Sequence, residues 1–157
     1  MNLSKLKKWL IDRHIPVQLI VSVVAGIATA MILSITTHVI LHMVGFYPPI
    51  NKPMLETNLV IIELIYHSIY AVIGAVVTAK LAEEKARRAI FILGTKEAIM
   101  WLLGTLLLWH HNPPWYNITK ALLGMPLAYL GGFIYQRYKK KKEKKEKKLP
   151  ASINSFH

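Results

Sequence analysis

The sequence contains no cysteine, so disulfides and thiol chemistry are excluded and the redox compartment is not informative. Acidic residues are scarce: eight Asp and Glu stand against 20 Lys and Arg, giving a formal net charge of +12. There is no Gly-rich phosphate loop, no nucleophile elbow and no zinc-protease motif. Polar stretches long enough for a soluble domain are missing as well. A catalytic triad cannot be assembled from the residues outside the apolar runs, so the sequence points away from an enzyme and requires no cofactor. No internal repeat is visible, which leaves an inverted-repeat transporter within one chain without support.

What the chain does have is apolar sequence. Hydrophobic residues make up 54% of its 157 positions, too many for an ordinary soluble domain of this size. With so high a charge alongside, the two must be segregated. Nine of the Lys and Arg fall between Arg137 and Lys148. Basic residues beside apolar runs suit anionic lipid headgroups better than nucleic acid, for which no recognition motif is present and no role is expected.

A helix needs roughly 20 apolar residues to cross a bilayer. Four runs qualify, at about 16–44, 58–81, 89–110 and 115–135. The segment Gly45-Phe-Tyr-Pro-Pro-Ile-Asn-Lys-Pro53 reads as a turn, because proline lacks a backbone donor and restrains the residue before it. Ala82 to Arg88 and His111 to Pro114 are the other connections. The expected fold is all-α, an integral membrane four-helix bundle preceded by a basic segment, 1–15. Residues 136–157 are expected to form a disordered basic tail, a polar extension of the fourth helix being the alternative.

Orientation follows from charge. Lys5, Lys7, Lys8 and Arg13, then Lys80, Lys85, Arg87 and Arg88, then the nine tail residues all fall on one side. Only Lys52 lies in a connection on the other, while Lys96 and Lys120 fall within spans. The positive-inside rule then puts both termini in the cytoplasm, N-in/C-in. Trp109, Trp115, Tyr116, Phe46 and Tyr47 read as an outer aromatic belt, and Tyr135 and Tyr138 as an inner one. Ala28-Thr-Ala30 resembles a signal cleavage site, but the apolar run continues through Ile35, so no cleavage is expected. Asn117-Ile-Thr119 matches a glycosylation acceptor and, against the membrane surface, reads as chance.

Residues four apart share a helix stripe, and small residues there let helices approach in lipid. The first run has Ser22, Gly26, Ala30 and Ser34, the second Ala71, Ala75 and Ala79, the fourth Gly124, Ala128 and Gly132. The third has Gly94 and Gly104 and no full stripe. These stripes read as packing faces, toward the same chain or another copy. Two of them continue into polar residues: Glu63 and His67 on the second run, Lys120 on the fourth. A charge facing lipid is costly, so a Glu63–Lys120 pair inside the bundle is expected. His38, His42, His110 and His111 fall near the same outer end.

The spacings His38/His42 and Glu63/His67 place four possible metal ligands on two helices. A carboxylate beside histidine equally suits proton or small-molecule handling, and a register-fixing ion pair is the plainer reading. Lys96 and Glu97 form a separate case within the third run. Adjacent helical residues point about 100° apart, so the two are not expected to face one partner. Lys96 is expected to snorkel to the headgroups, and Glu97 to join the buried polar set with Glu63, His67 and Lys120.

Several short motifs together resemble a family. They are Leu41-His42, Gly45-Phe-Tyr-Pro-Pro49, Ile65-Tyr66, Gly74, Thr78-Ala-Lys-Leu-Ala82, Pro114-Trp-Tyr116 and Pro126-Leu-Ala-Tyr-Leu-Gly-Gly132. Over about residues 17–132 the chain looks like a family of small, uncharacterised four-span bacterial inner-membrane proteins. The resemblance implies a bacterial inner membrane and a four-span fold, and it transfers no activity or site residue. Three functions stay open: a structural or accessory membrane subunit, in a homo-oligomer or larger complex; a proton-coupled or small-solute carrier acting as an oligomer; and a metal-, haem- or quinone-binding redox module.

Overall fold

The structure, a computed structural model, describes residues 3–49, 56–107 and 113–148, with side chains from 17 to 146. Its elements are α1 (Leu3–Met43), α2 (Thr57–Ala82), a 3-10 turn (Glu83–Lys85), α3 (Ala86–Leu107) and α4 (Pro114–Lys148). There is no strand among the described residues. Three helical stretches are long and apolar enough to cross a membrane: Val17–Met43, Thr57–Leu107 and Pro114–Glu146. The second comprises α2, the 3-10 turn and α3, which fold back on one another. Glu83, at φ 48°, ends α2 and lets the chain reverse.

The outward faces explain why the protein needs an apolar surround. Ile20, Ile32, Leu106 and Leu122 are 62, 65, 69 and 71% exposed, and comparable residues line every helix. A soluble monomer does not present apolar surface on that scale. The chain is an all-helical protein suited to a multi-pass membrane setting.

Pairings fix the arrangement. Gln18 Nε2 donates to the Leu81 carbonyl at 3.1 Å and the Thr37 hydroxyl meets the Tyr70 hydroxyl at 2.8 Å, so α1 and α2 run antiparallel. Glu63 meets Lys120 while Ala75 meets Gly131, so α2 and α4 run parallel. Ile90, Gly94 and Ala98 of α3 face Gly132, Ala128 and Gly124 of α4, antiparallel. α1 packs on α2, α2 on α4 and α4 on α3, while α1 and α3 meet only loosely. Two ends result. One, the basic end, gathers the first half of α1, the 3-10 turn and the last part of α4. The other is the histidine end.

The small-residue stripes serve this chain itself. At the α1–α2 crossing a methyl added to Gly26 would fall 2.5 Å from the Gly74 carbonyl, and one added to Gly74 would fall 2.6 Å from the Gly26 carbonyl. The two backbones therefore touch, as small residues in membrane helices permit. Ala30 reaches the same crossing through its methyl. On α2 two faces are used: Gly74 and Thr78 meet α1, whereas Ala75 meets Gly131 of α4 and Ala79 joins the core cluster with Ala82, Ala86 and Ala128. Ala71 lines a cavity instead. The third helix does own a packing face, Ile90–Gly94–Ala98, which the lack of a run of small residues concealed.

Two helices exceed their expected spans. α1 starts at Leu3 and, with 41 residues, is about 60 Å long. α4 continues to Lys148, so the tail expected to be disordered is helical over its first part. Lys and Glu are good helix formers, and an exposed Lys142–Glu146 pair at 3.9 Å has the favourable i,i+4 spacing.

Candidate functional site

The histidine end is built by the way α1 stops. Gly45, at φ 73°, takes the left-handed conformation that ends a helix. The Gly45 N–H donates to the His42 carbonyl at 3.1 Å and the Phe46 N–H to the Leu41 carbonyl at 3.0 Å, a Schellman cap. The cap turns Tyr47 back over the helix end, where it is 3% exposed. Its ring lies 5.6 Å from His38 and 5.5 Å from His42, and its hydroxyl donates to the Leu59 carbonyl at 3.5 Å. Burial pushes the Tyr47 phenol above the ordinary tyrosine pKa, and the nearby Glu63 carboxylate adds to the shift. Gly45 is thus what ends α1.

From there a hydrogen-bonded string crosses to α2. His42 Nε2 lies 3.0 Å from His38 Nε2, and His38 Nδ1 lies 3.3 Å from the Tyr66 hydroxyl. Tyr66 stacks on His67 at 4.8 Å. His67 Nε2 is 3.4 Å from Glu63 Oε1, and Lys120 Nζ is 3.3 Å from the same oxygen. Lys120 also donates to the Tyr116 hydroxyl and sits 3.9 Å from the centre of the Trp101 ring. Lys120 and Glu63 side chains are only 7 and 12% exposed. One carboxylate oxygen thus ties α2 to α4, while the ammonium leans on α3. A cation packed on an indole face is held by the ring quadrupole as well as by its counter-ion.

The expected metal set, His38, His42, Glu63 and His67, is not gathered into one centre. Tyr66 separates the two pairs, bonding His38 on one side and stacking on His67 on the other. Among the described residues no group of three or more such side chains is placed to hold a metal ion. His110, His111, Lys52 and Trp109 lie outside the described residues. The aromatic belt also needs correction. Trp115 and Phe46 face outward at 41 and 48% exposure, but Tyr47 and Tyr116 are buried. A phenol reads as interfacial in sequence, and here each has found a polar partner inside. Tyr138 is exposed, whereas Tyr135 packs on the core cluster. Asn117 is buried, with its amide nitrogen enclosed, so a glycan has no access to it in this fold.

Lys96 and Glu97 depart most from expectation. Lys96 Nζ donates to Glu97 Oε1 at 3.0 Å, although the residues are adjacent. The roughly 100° between their Cα–Cβ bonds is spanned by the long lysine chain, which swings round instead of snorkelling. The pair falls about midway along α3, and its side chains are 35 and 21% exposed. Both residues, with His67, Trp101 and Lys120, line a cavity of about 320 Å³ whose other walls are mostly apolar. Glu97 thus lines the same cavity as Lys120 and His67, but among the described residues its ion pair is with Lys96 alone. No family model, curated protein or solved structure matches the chain.

Proposed function

We propose that the chain is a four-span membrane protein with both termini on the cytoplasmic side, acting as a structural or accessory subunit of a membrane assembly. The observation that carries this reading is the Glu63 hub. Its charges are matched inside the chain, buried, and used to join α2 to α4 beside α3. Such a pair holds register and identity of packing rather than turning over a substrate. The clustering of Lys80, Lys85, Arg87, Arg88 and the α4 tail at one end supports the orientation, with anionic headgroups as their surround. The resemblance to small bacterial inner-membrane proteins supports that membrane as the location.

The cysteine-free background gives a direct test. Single variants Asn51→Cys and Ser152→Cys are treated with a membrane-impermeant maleimide in intact cells. Asn51→Cys is expected to label at once and Ser152→Cys only after permeabilisation; the opposite pattern overturns the orientation. For the accessory role, Glu63→Gln and His67→Ala are expected to change stability or assembly. Loss of a transport or ligand-dependent activity in a folded Glu63→Gln protein would favour the carrier instead.

A further inference from the structure

The cavity beside Lys96 and Glu97 is left unused by a purely structural role. Its α1 wall carries Ile27, Met31 and Ile35, and its α3 wall Lys96, Glu97 and Met100. Met31, Ile35 and Met100 are 53, 57 and 53% exposed, and they stand on the two neighbouring helices that pack least closely. The cavity therefore opens sideways, between α1 and α3, toward whatever surrounds the apolar faces. Its volume, about 320 Å³, is within the range of small-molecule sites. The open side is also roomy at Gly104, where an added methyl would meet nothing within 4 Å.

The polar groups narrow what can enter. An ammonium has three N–H donors. Lys96 uses one, on Glu97, and makes no other hydrogen bond among the described residues. Unused donors at mid-helix in an apolar surround demand acceptors. Charge, by contrast, is already balanced: Lys120 against Glu63 and Lys96 against Glu97. An ionic headgroup would bring an unpaired charge into a low-dielectric site, at a cost that its contacts would have to offset.

We propose that this cavity binds a neutral amphiphile, with carbonyl or hydroxyl oxygens accepting from Lys96 and an apolar tail leaving between α1 and α3. A quinone and a diacylglycerol offer the same head chemistry from different sources. The inference rests on the membrane setting, but neither on the orientation nor on the accessory role.

Trp101, in the cavity wall, is a built-in reporter. The full chain carrying Trp9→Phe, Trp109→Phe and Trp115→Phe is reconstituted in dioleoylphosphatidylcholine vesicles. Quenching of Trp101 is followed with decylubiquinone, with a diacylglycerol bearing brominated acyl chains, and with brominated oleate as the ionic control. Saturable quenching by either neutral probe is expected, and which one saturates identifies the source. Lys96→Met should weaken it about tenfold, the loss of one hydrogen bond to a charged donor. Gly104→Leu, which fills the cavity from a position with open space, should abolish saturation while helix content and unfolding temperature are kept. Quenching that rises linearly for both neutral probes, that persists in Gly104→Leu, or that saturates equally well with brominated oleate overturns the proposal. A reversed labelling pattern at Asn51→Cys and Ser152→Cys would fail the topology without touching this result.

Discussion

Two ion pairs lie about one helical turn apart along the α3–α4 seam, and they are treated differently by the fold. Lys120 at the level of Trp101 is enclosed: carboxylate, phenol and indole surround it, and each comes from a different place in the chain. Lys96 and Glu97, at the level of Gly124, pair only with each other among the described residues and face an open cavity. The difference lies in the neighbours. At the closed pair three helices converge, whereas at the open pair α1 stands back from α3. Equal charges in one small protein thus differ in their surroundings, enclosed at the histidine end and beside a cavity at the middle of α3.

That contrast breaks first at Glu63. Glu63→Gln should destabilise the protein by about 3–5 kcal/mol, because Lys120 is left buried without its counter-ion. Lys120→Met added to Glu63→Leu should recover much of that loss, since removing both charges leaves none unpaired. Reversible unfolding in mixed micelles, followed by circular dichroism, reads both. A Glu63→Gln protein as stable as the parent would mean that the hub is not cohesive.

A second contrast separates closed and open seams at the level of the backbone. Gly26→Ala puts a methyl against the Gly74 carbonyl and Thr78, so α1 must shift from α2. Overpacking of this kind costs about 1–3 kcal/mol. Gly104→Ala meets open space and should instead stabilise α3, by up to about 1 kcal/mol, through helix propensity alone. The same unfolding assay reports the two signs. Destabilisation by Gly104→Ala would show that the α1–α3 side is filled by protein after all.

How far this picture is legible in the sequence differs from residue to residue. The Glu63–His67 and Glu63–Lys120 contacts follow from i,i+4 stripes and from the cost of charge in lipid, both visible in the chain. The partner Tyr116 is not visible there, because an aromatic near a span end looks interfacial until a neighbouring helix offers it a polar group, and Trp101, inside a span, carries no sign of the helix it will face. Gly131 and the Gly74–Thr78 face escape for another reason: α2 and α4 each pack on two sides, and one stripe per helix cannot show that. The Lys96–Glu97 pair misleads because helical spacing gives the direction of Cβ, not the reach of a four-carbon side chain. The tail is legible only as two alternatives, because its charge favours a solvated chain while its Lys and Glu favour helix.

A double-mutant cycle on each ion pair tests the central contrast most directly. Glu63→Gln with Lys120→Met, and Glu97→Gln with Lys96→Met, would be unfolded side by side in the same micelle. A coupling of about 2 kcal/mol or more is expected for Glu63–Lys120, and a smaller one for Lys96–Glu97, whose side chains are less enclosed. Equal couplings, or the larger one at Lys96–Glu97, would contradict it.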